Sequence, residues 1–288
     1  MIELSKGELS LGVESEIGAS IAWFRNAGNS ILRETPVEAI GGLDGRRFSA
    51  FPLIPFSNRI RAGEFSFAGK TYTLARDAED LRHALHGTSR FKPWQVEWQK
   101  TDRARFSLDY VPRAGDWPFA YHASQEFFLL ADRLRLEIGL RNTCAAAAPA
   151  GIGLHPYFVR HDPVFLRFVA GYVWGKDDED IPNCSKPDAG RFDFLQRRPI
   201  GDGLIDNDYG GWNGRVDIAA DGQRLRMLGS GAFTHLVLFT PKGKPYFAAE
   251  PVSHRPDAIN PNGDAKDHGM AVLQPGESLA GVVQIIVV

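Results

Sequence analysis

The stretch RLRLEIGLRN, residues Arg133–Asn142, puts Leu134, Leu136, Ile138 and Leu140 at every second position. Arg133, Arg135, Glu137 and Arg141 fall between them, with Gly139 among the outward set. Side chains of a strand alternate between its two faces, so this pattern describes a half-buried β-strand. RFSLDYV (residues 105–111), WQVEWQ (94–99) and GRVDIAADGQRLRML (214–228) repeat the pattern. The last carries Asp221-Gly222, a pair suited to the positive φ of a tight hairpin. GEFSFAGKTYTL (63–74) is a second hairpin turning near Ala68-Gly69-Lys70, and SLAGVVQIIVV (278–288) is apolar enough for a central strand.

No stretch of twelve residues combines helical apolar spacing with caps. Thirty glycines and eighteen prolines suit a chain with many turns. The expected fold class is therefore all-β, a large, twisted antiparallel β-sandwich. No linker or repeat divides the 288 residues, so residues 1–288 are expected to form one domain. The alternative is two sandwich halves sharing a continuous sheet.

Thirty-three basic residues against thirty-five acidic ones leave a net charge of −2. That balance gives no electrostatic case for nucleic acid or an anionic membrane, although a small anionic substrate stays open. Cys144 and Cys184 do not make a disulfide framework or a zinc motif. The N-terminal MIELSKGELSLG lacks the apolar segment of a signal peptide, and no apolar run is long enough for a membrane span. A soluble, cytoplasmic protein is expected.

The strand pattern breaks into compact polar clusters at a few places. In FPLIPFSNRIRAGEF (51–65), Ser57-Asn58-Arg59 interrupts an apolar stretch, and Arg59 is either a surface arginine or a planar fork of donors for an oxygen-rich ligand. In RHALHGTSRFKPWQV (82–96), His83 and His86 lie three apart beside Gly87; a metal reading lacks a third ligand, and turn or core histidines are the plain alternative. In PAGIGLHPYFVR (149–160), His155 sits in an apolar run, and Gly151 and Gly153 permit close backbone approach. His155 is either a satisfied core residue or a group able to exchange a proton. In AAEPVSHRPDAIN (248–260), Glu250 ends the apolar run Tyr246–Ala249. Apolar surroundings would raise its pKa towards that of a general base, whereas a strand-end ion pair would hold it down. GDGLIDNDYGGWNG (201–214) reads as a Gly-rich loop in which Asp206 or Asp208 either caps a turn or accepts hydrogen bonds from vicinal hydroxyls, beside Tyr209 and Trp212.

In order along nearly the whole chain, NRIRAGEF, HALHG, DWPFAYHASQEF, GLHPYF, LIDNDY, EPVSHRPDAIN and LQPGE resemble the aldose 1-epimerase (mutarotase) family. The resemblance implies the galactose mutarotase-like β-supersandwich with a shallow, open sugar cleft and neither metal nor cofactor. It implies Glu250 as catalytic base, His155 as catalytic acid beginning as imidazolium, and His86, Arg59 and Asp206 as sugar-binding residues. Asp208 is the alternative to Asp206, and Asn58 and Trp117 are further cleft candidates. The implied reaction opens a cyclic hemiacetal and closes it on the other face of C1, with base and acid on opposite sides of the C1–O5 bond. His254, Asp257 and Asn260 are expected to brace the loop after Glu250. The partner is then a small-molecule sugar, and the chain a monomer or homodimer.

Two departures leave the sugar open. Thr88 stands where familiar galactose mutarotases have a second glycine, and Leu154 stands where they have an asparagine. HGTSRFKPW, with Arg90 and Lys92, allows a C6-phosphorylated or C6-sulfonated sugar. A catalytically silent carbohydrate-binding module on the same fold is the non-enzymatic alternative.

Overall fold

The computed structural model describes residues 1–42, 45–78, 80–184, 189–220, 222–260 and 268–288. Among these residues, one sheet has ten strands and another has nine. The first runs Ile2–Lys6, Leu9–Glu14, Ser20–Asn26, Ala50–Pro52, Leu154–Val159, Tyr246–Val252, His235–Thr240, Ile205–Gly210 and Tyr172–Val173, with Asn29–Ser30 paired alongside Ser20–Asn26. The second runs Gln95–Gln99, Arg103–Tyr110, Tyr121–Leu129, Arg133–Asn142, Ser278–Val287, Gln223–Gly231, Arg215–Ala220, Phe165–Phe168 and Arg198–Pro199. Among the described residues, regular structure beyond the strands is confined to the single-turn helices Val37–Gly41 and Ala189–Phe192 and to short 3₁₀ turns.

Arg133–Asn142 is a strand with the bounds that its alternation gives, and Leu134, Leu136, Ile138 and Leu140 are buried. Ser278–Val287 lies in the middle of its sheet, between Arg133–Asn142 and Gln223–Gly231. The hairpin of residues 63–74 turns through Ala68 and Gly69, at φ 50° and 75°. Asp221 lies outside the described residues; the strands flanking it pair antiparallel, with Ala220 opposite Gln223.

One core cluster joins the facing sides of the two sheets, including Leu11, Phe24, Leu154, Phe158, Phe247 and Leu236 from the first and Phe106, Phe127, Leu136 and Val283 from the second. Alternation then dictates the other face of the first sheet. With Leu154 and Phe158 turned inward, His155 and Tyr157 turn outward. With Phe247 and Ala249 inward, Ala248 and Glu250 turn outward; with Ile205 and Tyr209 inward, so do Asp206 and Asp208. A second apolar cluster, including Phe48, Phe51, Leu53, Val237 and Val252, covers this outer face.

Candidate active site

Register builds the site on that face. Tyr157 pairs with Ala248, so two residues further along the antiparallel ladder His155 faces Glu250. On its other side Glu250 pairs with Val237, and Val237 pairs with Asp208, while His155 pairs with Phe51. One row across five strands therefore reads Phe51, His155, Glu250, Val237, Asp208. Asp206 lies two residues from Asp208 on the same face, opposite Phe239.

Two corrections follow. Glu250 does not end its strand, which continues through Pro251 to Val252. Asp206 and Asp208 are in a strand rather than a Gly-rich loop, and Tyr209 and Trp212 turn into the core.

Residues from a short crossing ladder close the cleft. Arg59–Ile60 pairs with Ala84–Leu85, setting Asn58 against His86. The backbone N–H of Asn58 donates to His86 Nδ1 at 2.9 Å, and the backbone N–H of His86 donates to the Asn58 carbonyl at 2.9 Å. Both residues have positive φ, 56° and 59°. Gly87 follows at φ 63°, where a Cβ would collide with the Ile54 carbonyl, so the glycine of LHG is required by space and conformation. Since Nδ1 of His86 accepts a hydrogen bond, its proton sits on Nε2. Arg59 Nε donates to Asp80 Oδ2 at 2.8 Å, which fixes its guanidinium beside the Asn58 side chain.

Phe51, Asn58, Arg59, His86, Arg90, His155, Tyr157, Asp206 and Glu250 are among the residues that line the resulting cleft, of about 160 Å³. A wider hollow of about 1170 Å³, lined by Arg33, Arg47, Tyr246 and Val288 among others, lies elsewhere. Of the residues singled out from sequence, the smaller cleft holds Asn58, Arg59, His86, His155, Asp206 and Glu250.

His155 Nε2 and Glu250 Oε1 are 3.2 Å apart, and both side chains are almost fully buried. Burial, reinforced by Asp206 and Asp208, pushes the Glu250 carboxyl well above the usual carboxylate range. Burial, with Arg33 and Arg90, pushes His155 well below the usual histidine range. Their contact therefore favours a proton on Glu250, in contrast to the imidazolium expected for His155. His86 is pushed down by burial, Arg90, His155 and Arg59, consistent with a neutral ring. Burial opposes the charge of Arg59, but Asp80, Asp206 and Asp180 outweigh it and raise its pKa.

Trp117 is not brought to the cleft. It stacks on Phe65 at 5.2 Å and packs against Phe56 at 5.5 Å, where its size fills the core. Lys92 is also off the cleft, paired with Asp116 at 3.0 Å; Arg90 lines it but is ion-paired with Asp77 at 2.8 Å. His83 accepts the Ala62 N–H at 3.1 Å, which accounts for it structurally. Among the described residues no group of three or more His, Cys, Asp or Glu could hold a metal. His254, Asp257 and Asn260 brace: they bond to the Ser57 N–H, the Arg61 N–H and the Glu64 carbonyl.

Lys176 was missed. Its Nζ lies 3.2 Å from Asp206 Oδ1 and 3.5 Å from Asp208 Oδ2. In sequence it opens the charge run KDDED, which reads as a solvated surface. Only the pairing of Tyr172–Val173 with Tyr209–Gly210 carries it along the sheet edge to Asp206.

The aldose 1-epimerase family model matches residues 1–285. The chain belongs to the aldose 1-epimerase family. This family member is 30% identical over 295 residues to the uncharacterized protein YphB of Escherichia coli K12, covering 96% of the chain and 94% of YphB. A galactose mutarotase-like protein from Clostridium acetobutylicum has the same fold, at a TM-score of 0.89 and 19% identity over 99% of this chain and 94% of that one. A galactose 1-epimerase from Lactobacillus acidophilus NCFM superposes at a TM-score of 0.79 and 16% identity, covering 99% and 92%. The galactose mutarotase-like all-β architecture expected of this epimerase family member is thus the one it has. No helix among its described residues is long and apolar enough to cross a membrane.

Proposed function

We propose that this protein interconverts the α and β anomers of a free hexose or related aldose. The observation that carries the reading is the His155–Glu250 contact at 3.2 Å on the floor of a cleft also lined by Arg59, His86 and Asp206. Ring opening must remove a proton from O1 and deliver one to O5, and both oxygens are bonded to C1. Acid and base side by side suit that demand better than groups on opposite sides of the bond.

In this reading the pair holds one proton, resting on Glu250. A sugar hydroxyl donating to the carboxyl favours its charged form and draws the proton to His155 Nε2. Glu250 then takes the O1 proton as C1=O1 forms, and His155 gives its proton to O5 as C1–O5 breaks. Rotation about C1–C2 turns the other face of the aldehyde to O5, and the reverse transfers close the ring. Arg59, His86 Nε2–H and Asp206 hold hydroxyls meanwhile. Each proton-transfer group contributes roughly 10²–10⁴-fold.

A neutral sugar is favoured over a C6-phosphorylated or C6-sulfonated one because Arg90 and Lys92, the cations named for an anion, are engaged by Asp77 and Asp116. The test is anomer exchange by NMR on fresh α-glucose, α-galactose and separate C6-phosphate and C6-sulfonate pools. Fast exchange of a neutral sugar supports the reading. Exchange of a charged sugar alone moves the substrate class, and binding without exchange makes the protein a silent sugar-binding module.

A further inference from the structure

Lys176 lies where a lysine is costly. Its side chain is 10% exposed, and Asp208 beside it is 1% exposed with neither carboxylate oxygen in a well-formed hydrogen bond. Unbalanced buried charge is strongly destabilising, so such a group persists where it serves another. The chain has fixed Lys176 from both sides. The Trp174 N–H donates to the Asp208 carbonyl at 2.8 Å, and Asn207 Nδ2 donates to the Trp174 carbonyl at 3.0 Å. Beyond Lys176 the acidic run is pinned across the cleft edge. Asp177 and Glu179 pair with Arg61, Asp180 approaches Arg59 and Arg82, and His83 Nε2 donates to the Glu179 carbonyl. The ammonium is thereby held against the two carboxylates on the site face of the sheet.

We propose that Lys176 is a positioning residue of this site: it fixes Asp206 as an acceptor for sugar hydroxyls and, with the buried Asp208, sets the electrostatic field at Glu250. The role of Asp206 rests on the epimerase reading above; the field at Glu250 does not. The charged and titratable groups around Glu250 are His155 on one neighbouring strand, Asp206 and Asp208 on the strand beyond the other, Lys176 at the sheet edge, and Arg46, Arg59, His86 and Arg90 on the covering loops. Of these, Arg59 and Arg90 are ion-paired with Asp80 and Asp77, and Lys176 is the cation in direct contact with both Asp206 and Asp208, with Arg59 acting on them from further away. Burial pushes Asp208 up to about 6, against Lys176, with Asp206 adding to the rise and Arg59 opposing it. Lys176 itself stays charged, because Asp208 and Asp206 outweigh its burial.

The signs of two substitutions are opposite, which a merely structural role would not produce. Lys176→Met removes a cation and favours the neutral form of Glu250; Asp208→Asn removes an anion and favours the charged form. The experiment is a ¹³C NMR titration of the Glu250 carboxyl in wild type, Lys176→Met, Asp208→Asn and the double variant, with anomer exchange followed against pH in parallel. The midpoint is expected to rise by about one pH unit in Lys176→Met, fall by about one in Asp208→Asn, and return towards wild type in the double variant. The bell of kcat/KM against pH moves with it, and Lys176→Met raises KM about tenfold through a loosened Asp206. Unmoved midpoints, or midpoints that move the same way, overturn the proposal. If Lys176→Met does not fold, the upward shift in Lys176→Gln, which removes the same charge but keeps a polar end, decides. Shifted midpoints in a protein that exchanges no sugar uphold the field at Glu250 while the epimerase reading fails.

Discussion

Glu250 Oε1 lies 3.2 Å from His155 Nε2 because Tyr157 pairs with Ala248, and two steps of that register bring the acid and the imidazole together on one face. The pair is buried, and burial, reinforced by Asp206 and Asp208, favours the neutral form of the carboxyl.

Glu250→Gln removes proton exchange but keeps size, neutrality and a hydrogen bond to His155. Anomer exchange is expected to fall by about 10²–10⁴-fold with the fold intact. Stability carries a sign of its own. A carboxyl whose folded pKa is raised contributes stability that is complete below its usual value of 4.5 and lost as pH rises through the folded value. The variant lacks that loss. Urea unfolding should therefore show Glu250→Gln gaining on wild type as pH rises above 4.5; a constant difference would mean that Glu250 is not held neutral.

His86 separates two functions of one ring. Its Nδ1 satisfies the Asn58 N–H, and its Nε2–H faces the cleft. Asn at position 86 tolerates φ 59° and offers an oxygen near the place of Nδ1, but nothing at Nε2. His86→Asn is expected to unfold like wild type while kcat/KM drops roughly tenfold, the value of one neutral hydrogen bond. His86→Ala should in addition lose about 1–3 kcal/mol, because the Asn58 donor is left unpaired. Chemical denaturation of both variants, with exchange kinetics, checks the split.

Metal dependence follows from the donor set. His83 and His86 are each engaged by a backbone N–H through Nδ1, so neither is available as part of a two-histidine ligand pair through that atom. Exhaustive chelation is expected to leave the exchange rate unchanged. A loss restored by zinc would contradict this.

Sheet and loop residues differ in how far sequence could place them. Arg133–Asn142 gave its own bounds, since alternation is a property of the strand alone. His155, Glu250, Asp206, Arg59 and His86 each broke an apolar pattern, and their order along the chain resembled one family; all five line one cleft. Trp117 failed because a tryptophan beside a proline looks the same whether it fills a core or borders a cleft. Lys176 stayed hidden for the complementary reason. Its meaning depends on which strand it runs beside, and a run of four acidic residues masks it as surface. The protonation of the His155–Glu250 pair was equally out of reach, because burial of both partners is a tertiary fact.

His254 gives the stability of the site loop a direction with pH. Its Nδ1–H donates to the Arg255 carbonyl at 2.7 Å, and its Nε2 accepts the Ser57 N–H at 3.1 Å, one residue before Asn58. A Cβ at Gly151 would strike the ring, so the imidazole fills the space that this glycine leaves. Burial lowers its pKa to about 4, against the Arg255 carbonyl, which raises it. A proton on Nε2 would turn the acceptor for Ser57 into a second donor. The unfolded chain binds that proton near 6.5, so the contribution is complete above 6.5 and is lost as pH falls towards 4. Across that window it amounts to about 3 kcal/mol. Unfolding at pH 7, 5.5 and 4.5 should show wild type losing stability faster than His254→Gln, whose side chain does not titrate. Parallel loss in both proteins would place the acid sensitivity elsewhere, with His86 and His155 the next buried rings to replace.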